Sequence, residues 1–131
     1  MLTLLHRAAF PIELTNGNDG RGGQWFSSAR TRKKIEATLR FNGHARSLSF
    51  DGLLTIHITR ILGPRQKRWD ADSWQRGNLK EIIDALVVLN WFIDDGPEYI
   101  QEIRFDQVAT TPRPINASMA IDIYRHEKPE R

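Results

Sequence analysis

Two hydrophobic periods stand close together in the middle of this chain, and they restrict its fold more than any other feature. From Leu53 to Ile61 the apolar residues alternate, with Leu54, Ile56 and Ile58 on one side and Thr55, His57 and Thr59 on the other. A period of two belongs to a strand with one buried face. From Leu79 to Val87 the spacing changes to three and four, at Leu79, Ile82, Ile83, Leu86 and Val87. That is the stripe of an amphipathic helix. Gly63-Pro64 closes the strand, Asn78 and Glu81 form a capping-box-like start for the helix, and Asn90 suits its exit. Trp91, Phe92 and Ile93 are expected to pack on the core as the chain leaves.

The flanks supply the remaining elements. Residues 2–14 hold an apolar stretch that predicts an early strand, with Pro11 favouring an edge or a break. Residues 16–24 form a Gly/Asn-rich loop without the Gly-Lys-Ser/Thr of a phosphate-binding loop. A helix is expected from an N-cap at Ser27 or Ser28 to about Phe41, with Ile35 and Leu39 facing inward and Asn42-Gly43 ending it. Tyr99–Val108 predicts a strand with Ile103 and Phe105 on its apolar face, and Ala117, Met119, Ile121 and Ile123 alternate inward in a last strand. The whole, residues 1–131, reads as one α+β domain: a small mixed β-sheet packed by two main helices.

Composition removes several classes of function. The chain has 131 residues and no cysteine, which excludes zinc-thiolate sites, disulfides and cysteine nucleophiles. No run reaches the roughly 20 apolar residues that cross a bilayer, and His6 and Arg7 interrupt the apolar start. The expectation is a cytoplasmic protein with no membrane partner. Residues 1–80 carry 14 Lys or Arg against 6 Asp or Glu, and residues 81–131 carry 5 against 10. Such an asymmetry predicts a surface for a polyanion.

The residues with chemical potential surround the central helix. Asp70 and Asp72 project from one side if their segment is extended. Lys80 lies in the first helical turn with Asp84 one turn on, and Asp94-Asp95 follows the helix. Crowded carboxylates repel one another unless a cation lies between them. Hard oxygen ligands suit Mg²⁺, which polarises phosphoryl oxygens and generates hydroxide for phosphodiester cleavage. A lysine beside such a cluster can compensate charge at phosphorus. Arg65, Lys67, Arg68 and Arg76, with Arg30, Lys33 and Lys34 on the first helix, are the candidate phosphate contacts. Each part also has a plainer reading: Asp94-Asp95-Gly96-Pro97 is a good turn, Lys80 and Asp84 can form a surface ion pair, and His57, without a second histidine at ligand spacing, is structural.

Lys80, Asp84-Ala85-Leu86 and the apolar run ending in Phe92-Ile93-Asp94-Asp95, preceded by Asp70-Ala71-Asp72 after a strand and a basic run, resemble the RusA-like Holliday junction resolvases, small endonucleases common in prophages. The resemblance implies an α+β homodimer that cuts branched DNA in recombination and repair with Mg²⁺, or alternatively Mn²⁺. It implies that Asp70, Asp72 and Asp95 bind the metal and that Lys80 is the essential basic group. Members of the family place asparagine directly after the second aspartate, whereas here Ser73-Trp74-Gln75-Arg76-Gly77 comes between Asp72 and Asn78. An inactive relative that binds nucleic acid through the same fold is the alternative. A structural dimer using Trp25, Trp69, Trp74 and Trp91 as anchors is the third.

Overall fold

A computed structural model describes residues 2–13, 24–68 and 78–127, with side chains described from Ala29 in the first helix and from Leu79 in the second. Among the described residues the element order is β1 (Leu2–Pro11), α1 (Gln24–Phe41), β2 (Leu54–Ile61), α2 (Asn78–Val88), β3 (Ile100–Val108) and β4 (Ser118–His126). The strands form one mixed sheet in the order β1-β4-β2-β3. β2 and β3 are parallel, while β4 runs antiparallel to both β1 and β2. β1, β2 and β3 therefore point the same way, and β4 is inserted between β1 and β2. Successive strands that run the same way need a crossover between them; α1 supplies it from β1 to β2 and α2 from β2 to β3. Each helix begins at the carboxyl end of the strand before it and descends to the amino end of the strand after it.

The two periods form the elements they predict. Leu54, Ile56 and Ile58 are buried, as are Ile82, Ile83, Leu86 and Leu89. These join Ile35 and Leu39 of α1, Ala8 and Phe10 of β1, and Met119, Ile121 and Ile123 of β4 in one core. Each fully buried Leu or Ile contributes about 1.5–3 kcal/mol of transfer free energy.

Both helices stop by the same device. Gly43 has φ of 80°. Its N–H bonds to the Arg40 carbonyl at 3.1 Å, and the His44 N–H bonds to the Leu39 carbonyl at 2.9 Å. Asn90, with φ of 67°, repeats the pattern: its N–H bonds to the Val87 carbonyl, and that of Trp91 to Leu86, both at 3.0 Å. These paired bonds satisfy the last helical carbonyls around a left-handed residue.

Two local expectations are corrected. α1 begins at Gln24, directly after Gly22-Gly23 in the sequence, so Ser27 and Ser28 lie inside the helix and do not cap it. Trp91 and Phe92 are buried but Ile93 is 68% exposed, because three successive side chains leaving a helix cannot all face one core. On β3, Ile103 and Phe105 lie on the inward face as expected, beside Ile56 and Ile58 in the register; Phe105 packs against the core, and Ile103, on the edge strand, stays 36% exposed.

Candidate nucleic-acid interface

The topology gives the molecule two unlike ends. One end gathers the carboxyl ends of β1, β2 and β3, the start of β4 and the amino ends of both helices; it is the end at which open α/β sheets hold ligands. The other gathers the helix C-termini and the starts of β2 and β3.

At the first end, β2 finishes with a residue that breaks its own pattern. Arg60 continues the inward phase of Leu54, Ile56 and Ile58, and only 4% of it is exposed. One guanidinium nitrogen, Nη1, donates to the Lys67 carbonyl at 3.0 Å and to Gln107 Oε1 at 2.9 Å. Gln107 is also its register partner on β3. Burial pushes the Arg60 guanidinium down to about 10, which leaves it charged at neutral pH. The Gln107 carbonyl in turn accepts from Arg68 Nη1 at 2.8 Å. Two arginines thus converge on one glutamine and tie the basic segment to the end of β3. The turn before it is fastened from the other side: Arg113 Nη1 donates to the carbonyls of Gly63 and Gln66, both at 2.8 Å, and the Gly63 N–H donates to Gln66 Oε1 at 2.9 Å. Arg65, Lys67 and Arg68 are exposed on this fastened segment.

Other cations share this end. Lys80 is exposed in the first turn of α2. Arg30, Lys33 and Lys34 are exposed on the middle turns of α1, and Lys34 Nζ donates to the Glu13 carbonyl just past β1. A groove of about 340 Å³ opens between the exits of β1 and β2 and the entry of β4.

Asp70, Asp72 and Arg76 lie outside the described residues. Their flanks, Arg68 and Asn78, are both at this first end. Asp95 is not: it belongs to the second. The Trp91 carbonyl accepts from Phe50 N–H at 2.8 Å, and the Gly96 carbonyl accepts from Ile100 N–H at 3.1 Å. Asp94 and Asp95 are therefore held, exposed, beside the start of β3, and the Asp95 N–H is bonded to Asp94 Oδ1 at 2.8 Å. The expectation that Lys80 borders Asp95 does not hold within one chain, because the parallel β2–β3 crossover puts them at opposite ends of α2. Lys80 and Asp84 form no ion pair with each other. Among the described residues no three His, Asp or Glu side chains are grouped to hold a metal.

His57 lies on the sheet face away from the helices and bonds through Nε2 to Asp106 Oδ2 at 2.6 Å. On the same face Arg7 Nε meets Asp122 Oδ1 at 2.7 Å. This is a belt of cross-strand pairs, in keeping with the structural reading of His57. Arg60, Gln107 and Arg113 were not among the expected site residues. Arg60 carried a signal: a charged residue in the apolar phase of a strand needs buried partners. Gln107 and Arg113 carried none, since their partners are distant in sequence.

No protein-family model matches the chain, and no curated protein matches it.

Proposed function

We propose that this protein is a Mg²⁺-dependent endonuclease acting on branched DNA as a homodimer, of the kind the RusA-like motifs imply. The observation that supports it best is the convergence at one end of the sheet. The segment bearing Asp70 and Asp72 departs from the fastened row Arg65, Lys67 and Arg68 and returns at the turn that presents Lys80. In this reading Asp70 and Asp72 hold Mg²⁺, which supplies a hydroxide nucleophile and neutralises the phosphoryl oxygens. Lys80 stabilises negative charge on the phosphate, and the arginines hold the DNA backbone irrespective of sequence. Asp95 reaches this centre only from a second copy of the chain. The exposed Ile93 beside it suits a subunit contact, and two symmetric cuts suit a two-fold dimer.

The test is cleavage of a synthetic four-way junction by the purified chain with Mg²⁺ or Mn²⁺. Cleavage lost in Asp70→Asn, with binding kept, is the expected result. An intact junction under conditions in which a known resolvase cuts it overturns the proposal. The separation of Asp95 from Lys80 favours a second reading, a binding protein without catalysis. Salt-sensitive junction binding that ignores divalent ions and never leads to cleavage would support that reading.

A further inference from the structure

We propose that the groove between the exits of β1 and β2 and the entry of β4 receives one unpaired nucleobase of the bound DNA, an inference that rests on the DNA function proposed above. Its walls combine two kinds of surface. Pro64 and Ile115 offer apolar faces, and Ile115 is 89% exposed. Glu13, Gln66 and Asn116 offer hydrogen-bonding groups, and Arg65 also lines the groove. Gln66 Oε1 is engaged by the Gly63 N–H, so its amide N–H groups remain as donors, while Glu13 supplies acceptor oxygens to the lining. A mixed donor and acceptor edge flanked by apolar faces is what a base presents its own edge and faces to. Arg65 and the neighbouring Lys67 and Arg68 suit the phosphates on either side of such a base. The volume of about 340 Å³ is near the lower bound of ordinary small-ligand sites and is enough for one base.

The groove is also preformed. Arg113 ties both ends of the Gly63–Gln66 turn, and the Ile12 N–H bonds to the Ala117 carbonyl at 3.1 Å. A Cβ on Gly63 would sit 2.9 Å from the Ala117 nitrogen, so glycine there is what lets the two walls approach. A rigid site costs little ordering when it is filled. Unpaired bases are what a branch point exposes more readily than a duplex does.

The test uses four-way junctions carrying 2-aminopurine at successive positions around the branch, with the full-length chain in Ca²⁺ to prevent cleavage. One position is expected to brighten several-fold on binding. Ile115→Ala and Asn116→Ala, both at exposed residues outside the core, are expected to abolish that signal and weaken binding by about tenfold. An abasic nucleotide at the same position is expected to weaken the wild type equally and the variants no further. Binding with no responsive position, or a signal that survives both variants, overturns the groove and leaves the nuclease proposal standing. Failure of the wild type to bind any junction removes both. A base that brightens in Ca²⁺ on a junction that is never cut when Mg²⁺ or Mn²⁺ replaces it keeps the groove and removes the nuclease.

Discussion

If Asp95 acts at the metal, it must act in trans, and subunit mixing tests this directly. β3 alone carries the chain about 23 Å between Ile100, beside the acidic turn, and Gln107, where Arg68 is tied. Asp70 is only two residues beyond Arg68, about 7 Å of extended chain. Two oxygens on one Mg²⁺ lie within about 4 Å of each other. With Asp95 at one end of β3 and Arg68 tied to the other, a role for Asp95 in the proposed centre calls for a second copy of the chain. Asp70→Asn and Asp95→Asn should each abolish cleavage when they fill both subunits. A heterodimer of the two, co-expressed with different tags and purified through both, has one site with both lesions and one site with neither. It should nick one strand of a junction at about half the wild-type rate and leave the junction unresolved, because resolution needs the second, symmetric cut. Ile93→Glu supplies the control: it should convert the dimer to monomer in sedimentation velocity, with unchanged circular dichroism and no cleavage. A heterodimer as inactive as either parent, alongside an active wild type, refutes the trans arrangement. Full activity of Asp95→Asn refutes any metal role for that residue.

Two further expectations concern the opposite end of the molecule. Trp91 is fully buried, donates Nε1–H to the His44 carbonyl at 2.7 Å and meets His6 and Phe50 edge-on; Trp91→Ala should cost about 3–5 kcal/mol in urea unfolding, and a cost under about 1 kcal/mol contradicts the packing described. The His6 and His44 rings touch at 3.3 Å, and burial lowers both from 6.5, with His44 and Arg46 adding to the effect on His6. The unfolded chain then binds more protons below pH 6.5, so stability falls as acid is added. The urea midpoint should drop from pH 7.5 to pH 5 and drop less in His6→Phe, and equal slopes for the two proteins would count against the cluster as the source.

What the sequence discloses, and what it conceals, follows from the range of the forces involved. β2 and α2 were legible because burial repeats at every second residue in one and at every third or fourth in the other. The helix ends were legible at Asn42-Gly43 and Asn90, because a left-handed residue is a local requirement. The start of α1 was misread because serines that can cap a helix are also tolerated inside one. Ile93 was misread because an apolar run says nothing about which side chain the exit turn rotates outward. The position of β4 between β1 and β2 is not written in any local pattern. Pairing across the sheet joins residues more than a hundred positions apart, Leu2 with His126 among them. That ordering leaves β2 and β3 as parallel neighbours, sends α2 from one end of the sheet to the other, and so separates Lys80 from Asp95. Lys80 and Asp95, close in sequence, are for that reason divided in space, and a shared role for them requires a second chain.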